Sequence, residues 1–225
     1  MMKKSKNNAQ TIYEALKAMI TCFDITPGSR VTEMQIADYF EISRTPVRAA
    51  LQRLEIEGFL SIKSKQGCFI RNIDLETINN YYDIRLELER MALRLIVQLQ
   101  PIADLEQLSS DWHPDQLNFG TQINDGLKAA EESFHIQLAE LAGNNVLVSY
   151  LRDINDQIRV VRRMGFPNLK SVTDTYEEHF RICQLLLKKD LLQASDEMQN
   201  HVRKSQDTAN NISLKQIYGK KSIFE

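Results

Sequence analysis

The stretch from Ser43 to Leu54 (Ser-Arg-Thr-Pro-Val-Arg-Ala-Ala-Leu-Gln-Arg-Leu) constrains this chain most, because it reads as a short helix with two faces meant for different surroundings. Val47, Ala50, Leu51 and Leu54 follow the i, i+3, i+4, i+7 spacing of a buried stripe, while Arg44, Arg48 and Gln52 line up about one turn apart elsewhere. Ser43 is placed to cap the helix with its hydroxyl, and Pro46 falls in the first turn, where a missing N–H costs nothing. A solvated face on a surface helix is often basic. The helix alone therefore leaves open whether its cationic front meets water or a polyanion.

The flanking residues narrow the choice. Thr32-Glu33-Met34-Gln35 fits the capping box of a preceding helix, continued by Ile36, Ala37 and Phe40 and closed by a turn at Glu41-Ile42. Two short helices joined by a tight turn predict a helix-turn-helix. After the second helix, Glu57-Gly58 gives a stop. Phe59 to Lys63 alternates like a strand, turns at Ser64-Lys65-Gln66-Gly67 and returns as Cys68-Phe69-Ile70-Arg71. This hairpin is expected to be a wing with Lys65 at its tip.

Taken together, Pro27-Gly28, Ile36-Ala37, Ile42 to Arg48, Ala50-Leu51, Arg53-Leu54, Glu57-Gly58-Phe59 and Gly67 resemble the winged helix-turn-helix of the GntR family of bacterial transcriptional regulators. The resemblance implies binding to double-stranded DNA. Arg44 and Arg48, near the N-terminus of the second helix, suit bidentate donation to guanine in the major groove. Thr45 and the helix N-terminus suit phosphate, and Lys65 with the Gly67 turn suits the minor groove or backbone. Gln35 stands near a position where some relatives carry a DNA-contacting arginine, and Ala49 replaces a glutamate frequent after the second arginine.

Charge is divided in the same sense. Residues 1–72 hold 11 Lys or Arg against 7 Asp or Glu, a net +4, and the remainder holds 17 against 23, a net −6. Only the first part is suited to a polyanion. A length of 225 residues is compatible with two domains of roughly 70 and 150 residues. We expect a winged helix-turn-helix over 1–72, an all-helical effector-binding and dimerisation domain over 75–211, and a C-terminal tail over 212–225. The fold class is thus mainly α, with a small β-hairpin wing ahead of an all-α bundle.

Within the first domain, Ile12, Ala15, Leu16, Met19 and Phe23 predict a supporting helix. From Leu75 onward the pattern predicts helices over about 75–99, 102–109, 119–142, 144–164, 170–188 and 191–209, broken at Pro101, Trp112-His113-Pro114, Gly143-Asn144 and Gly165 to Asn168. No apolar run approaches the ~20 residues of a membrane helix, and the basic N-terminus lacks the apolar segment of a secretion signal. A cytoplasmic location is expected. Cys22, Cys68 and Cys183 are scattered without a C-x-x-C pair, which suggests neither a disulfide framework nor a thiolate zinc site.

His135, His179 and His201 each fall inside a predicted helix, and Glu131 precedes His135 by four residues, on the same helix face. Three imidazoles and a carboxylate would suit one divalent cation, Zn, Ni or Mn. The alternative is that they satisfy local hydrogen bonds in a core. Arg85-Leu86-Glu87-Leu88-Glu89 with Ala92, and Phe134-His135 with Leu138-Ala139 and Gly143-Asn144, resemble the helical effector domain, called FCD, of the FadR-like branch. In its metal-binding members an Asp four residues before the first histidine and three histidines are the ligands, so Glu131 departs from the pattern. Arg85 suits either an anionic effector or a salt bridge to Glu89.

Two arginines on one short helix read few base pairs, so a homodimer on a pseudo-palindromic operator is expected; we further expect a response to a small organic acid, no organic cofactor and no enzyme activity. Two alternatives are a purely structural helical domain and a di-iron enzyme. The latter needs Glu-x-x-His twice, and only Glu132 to His135 supplies it.

Overall fold

The computed structural model describes residues 9–116, 125–164, 169–211 and 222–224. The chain divides into two compact units, Met1–Asp74 with Ile212–Glu225, and Leu75–Asn211. The stretch expected to be a separate C-terminal tail thus groups with the first unit.

In the first unit, α1 (Ala9–Thr21) and α2 (Glu33–Tyr39) pack on α3 (Arg44–Ile56), which in turn packs on a small antiparallel sheet. The capping box of α2 forms as expected: Thr32 Oγ1 accepts from the Gln35 backbone N–H at 3.2 Å, and Gln35 Oε1 accepts from the Thr32 N–H at 2.9 Å. At α3, Ser43 occupies the capping position, but its side chain makes no capping bond. The third helical residue, a usual donor to such a cap, is Pro46 and has no N–H to give. Val47, Ala50, Leu51 and Leu54 are all buried, as their spacing requires. On α1 the buried face is Ile12, Tyr13, Leu16 and Ile20, so it lies slightly around the helix from the expected stripe, with Met19 only partly buried.

The wing is larger than a hairpin. Strands β2 (Leu60–Lys63) and β3 (Gly67–Ile70) pair antiparallel, and a two-residue strand β1 (Arg30–Val31) adds to the other edge of β3, giving the order β1-β3-β2. Two residues are too few to show alternation, which is why β1 has no sequence signal. Gly67 makes this closure possible: its φ is +107°, and a Cβ there would come within 2.9 Å of the Val31 carbonyl oxygen.

The second unit is entirely helical among the described residues: α4 (Leu75–Leu99), α5 (Ile102–Asp111), a 3₁₀ turn at Pro114–Gln116, α6 (Asp125–Leu141), α7 (Asn145–Met164), α8 (Leu169–Leu187) and α9 (Leu191–Asn210). Residues 119–124 of the expected 119–142 helix lie outside the described residues. The breaks follow local chemistry. Gly143 has φ +66°, and Asn144 Oδ1 caps α7 by accepting from the Val146 and Leu147 N–H groups at 3.1 Å. Asp190 caps α9 through the Gln193 N–H. The long α4 packs against α6, α7 and α9, burying Leu86, Leu93 and Ile96. No helix among the described residues is long and apolar enough to cross a membrane.

Candidate nucleic-acid interface and metal centre

Arg44, Thr45, Arg48, Ala49 and Gln52 are exposed on α3, opposite its buried stripe. Arg48 is held by Glu33 of α2 through a two-point pair, Nε to Oε1 at 2.9 Å and Nη2 to Oε2 at 2.8 Å. This bond to Arg48 lowers the Glu33 carboxyl below its ordinary range, and the charges of Arg48 and Arg44 add to the effect. Arg44 is exposed one turn before Arg48, whose charge the Glu33 carboxylate favours. Lys65 is exposed at the wing tip with φ +60°. Gly67 serves the backbone approach described above.

Gln35 has both ends of its amide engaged, the oxygen in the capping box and the nitrogen donating to the Phe224 carbonyl at 3.1 Å. That leaves little of it for DNA. Behind α3, Glu57 accepts from Lys17 Nζ at 2.9 Å and from the Tyr13 hydroxyl, and Arg53 stacks over the Tyr13 ring at 3.7 Å, which fastens α3 to α1.

In the helical unit, His135 of α6, His179 of α8 and His201 of α9 are all buried and meet. The Nε2 of His201 lies 3.3 Å from that of His179 and 3.2 Å from that of His135. The other ring nitrogens of two of them are fixed by carboxylates: His135 Nδ1 lies 2.6 Å from Glu89 Oε2, and His201 Nδ1 lies 2.7 Å from Glu178 Oε2. An Nδ1–H donated to a carboxylate leaves Nε2 as a bare lone pair. Two such lone pairs facing each other at 3.2 Å repel unless a cation or a proton lies between them. Nitrogens bound to one metal at ~2.05 Å and a tetrahedral angle are ~3.3 Å apart. The donor set therefore fits a divalent cation.

Glu131 is on α6, one turn before His135, and its side chain lies outside the described residues. Around the histidines the walls are aromatic. Phe134 stacks on His179 with ring centroids 3.7 Å apart, and Trp112 meets the same imidazole edge-on at 4.4 Å. Burial, reinforced by the neighbouring cationic charge, pushes His179 well below the usual histidine range, so it presents a neutral ring. His113 sits beside Phe180 and Asp115, away from the cluster.

Arg85 is fully buried on α4 and does make the bond to Glu89 that its spacing allows, Nε to Oε1 at 2.6 Å. Burial would raise the Glu89 carboxyl, but the adjacent His135 and Arg85 outweigh it and hold Glu89 down to about 2. Arg85 Nη1 and Nη2 are buried with no hydrogen-bond partner among the described residues. The i+4 pair thus uses one edge of the guanidinium and leaves the other without a hydrogen-bond partner among the described residues.

Glu89 and Glu178, which orient the imidazoles, were not foreseen in that role. Their signals were faint: Glu89 stands in the Arg85 motif, and Glu178 adjoins His179 in sequence. A cleft of about 80 Å³ opens beside His201, lined also by Arg162, Ser171, Thr175, Glu178 and Lys204. Lys204 donates to Glu178 Oε1 at 2.6 Å.

Residues 8–70 match the family described as bacterial regulatory proteins, gntR family, and residues 80–204 match the FCD domain. The chain belongs to the GntR family of transcriptional regulators. It is 31% identical over 168 residues, 75% of this chain and 78% of the relative, to the Nta operon transcriptional regulator of Aminobacter aminovorans. It is 26% identical to the transcriptional regulator LutR of Bacillus subtilis, over 84% of this chain and 95% of the relative. Among solved structures, E. coli McbR/YncC superposes with a TM-score of 0.67 at 18% identity, covering 90% of this chain and 96% of that one, a likeness of fold. This GntR regulator accordingly joins a DNA-binding winged domain to an FCD domain.

Proposed function

We propose that this regulator binds one divalent cation, Zn, Ni or Mn, at His135, His179 and His201, with Glu131 as the candidate fourth ligand, and that a short carboxylate bound beside it changes operator affinity. The observation that carries the reading is the convergence of three Nε2 atoms at 3.2 and 3.3 Å, two of them oriented by Glu89 and Glu178. A cation held there would offer an acidic position to an anionic oxygen. The chain's own groups favour the same ligand class. Arg85 keeps two unpartnered buried nitrogens, and Arg162 and Lys204 line the adjacent cleft. At 80 Å³ the cleft holds roughly six water-sized atoms, the size of a short organic acid.

Arg44 and Arg48 are assigned to base readout, and Thr45 and Lys65 to the DNA backbone. Two arginines read few base pairs, so a homodimer on two half-sites supplies the selectivity. Val146 and Tyr150, exposed one turn apart on α7, give apolar surface for a second copy. The test is elemental analysis of protein purified without chelator or histidine tag, beside His179→Ala. About one equivalent of metal in the parent and little in the variant is expected. Metal-free parent protein after incubation with Zn, Ni and Mn would overturn the assignment and leave Arg85 as a direct acid-binding group.

A further inference from the structure

We infer that Arg30, on β1, belongs to the DNA interface in two ways: its Nε–H braces the turn at the wing tip, and its two outer nitrogens hold a phosphate of the duplex. Arg30 pairs with Phe69 in the antiparallel register of β1 and β3, so it shares a face of the sheet with Phe69 and with Gly67, two residues nearer the tip. Gly67 clears the way for it. A Cβ there would lie 3.2 Å from Arg30 Nε, so the arginine side chain runs over this glycine towards the turn. At the end of that path Nε donates to the Gln66 carbonyl.

The bond acts on a turn of costly conformation. The Gln66 N–H donates to the Lys63 carbonyl at 3.0 Å, and between them Lys65 takes φ +60°, a left-handed backbone that a side chain disfavours. Arg30 holds the carbonyl next to this residue from a neighbouring strand, and so fixes how Lys65 is presented. The arginine is exposed, and its Nη1 and Nη2 have no hydrogen-bond partner among the described residues. Among the same residues Lys65 makes no ion pair, and Lys63 lies over the Phe69 ring at 4.8 Å. Elsewhere in the domain Lys17 and Arg53 are tied to Glu57, and Arg48 to Glu33. The wing tip therefore gathers three cations that no described carboxylate pairs, the charge that a phosphate backbone complements, and a guanidinium with two open donors suits phosphate oxygens. The inference rests on the assignment of Lys65 to the DNA backbone.

The test is the salt dependence of binding to a labelled duplex of about 30 base pairs and arbitrary sequence, from about 50 to 200 mM salt. It compares the full-length parent with Arg30→Gln, Arg30→Lys, Lys65→Gln and Arg71→Gln, and adds hydrogen exchange of the free proteins. Glutamine carries Nε2 where arginine carries Nε, so Arg30→Gln keeps the donor to Gln66 and loses the charge; lysine has a methylene there, so Arg30→Lys keeps the charge and loses that donor. Arg30→Gln and Lys65→Gln should each reduce the steepness of log affinity against log salt by about 0.9, and Arg30→Lys should keep the parent's slope. Arg71→Gln, an equal change of charge on the same sheet face but roughly 13 Å along the strand from Gly67, should leave the slope unchanged. Exchange at the Gln66 amide should quicken roughly 2- to 10-fold in Arg30→Lys and hold the parent's rate in Arg30→Gln. An unaltered slope in Arg30→Gln, or an equal fall in Arg71→Gln, would overturn the phosphate contact, and unaltered exchange in Arg30→Lys would overturn the brace. A fall in Lys65→Gln without one in Arg30→Gln would keep Lys65 on the backbone and refute Arg30. No fall in Lys65→Gln would refute the assignment of Lys65 itself, with Arg30 decided by its own two variants.

Discussion

The two units each contain an arginine–glutamate pair of similar length, Arg48–Glu33 at 2.8 Å and Arg85–Glu89 at 2.6 Å, and they do opposite things. The first is on the surface, its arginine side chain 61% exposed; the second is sealed, with side chains 0% and 1% exposed. Water screens and competes for the surface pair, so it stores little energy and can open when a phosphate or base edge offers a better partner. The buried pair has no solvent to return to, so each charge depends on the other. In one domain the paired charges stay open to solvent; in the other they are sealed, and the carboxylate faces a histidine.

The sharpest way to break this contrast is to remove one carboxylate from each pair. Glu89→Ala should cost about 3–5 kcal/mol of stability in chemical denaturation, because it strands the Arg85 charge, whereas Glu33→Ala should leave the midpoint unmoved and alter only DNA binding. A loss below about 1 kcal/mol for Glu89→Ala would mean that Arg85 is compensated by another route. Next in size, Arg44→Ala should weaken operator binding by about 1–3 kcal/mol and relax base preference at one position of each half-site. A uniform loss across sequences in a binding titration would make Arg44 a phosphate contact instead.

Glu178→Gln sharpens the other side of the comparison. Orientation of His201 weakens without loss of a ligand, so metal affinity by competition titration should fall about 10- to 100-fold; no change would show that His201 is held by packing alone. The smallest effect concerns Glu57. Burial opposes its ionisation, but Lys17, Tyr13 and Arg53 more than offset this, and its pKa is lowered. A lowered carboxyl contributes stability that is present above the ordinary glutamate range and is lost as pH falls through the folded value. Thermal melts of Glu57→Gln should lack that acid-side decline of the parent; parallel curves would exclude a role for Glu57 in it.

How legible each region was follows from how its contacts are distributed along the chain. The recognition helix, the capping box of Thr32 and Gln35, and the wing hairpin are all local, so their spacing carried them into three dimensions. Ser43 fell short for a local reason too, since its capping partner is replaced by Pro46. The candidate metal centre is different. The three histidines could be picked out by type and by resemblance, but Glu89 lies 46 residues from His135, and His135 lies 66 from His201. No period relates positions on separate helices.

The sequence by itself determined the order of the domains, the two faces of α3, the basic character of the winged half and the helical character of the rest. Periodicity, capping and breakers act within a few residues, which is the range over which backbone hydrogen bonds choose a helix or a strand. Only the tertiary structure decided that three imidazoles meet, that Glu89 and Glu178 face the Nδ1 atoms of two of them, that β1 completes the wing, and that Phe224 reaches back to α2. Each depends on which helices and loops pack together, and that is set by summed burial of side chains far apart in the chain, a quantity no local stretch contains.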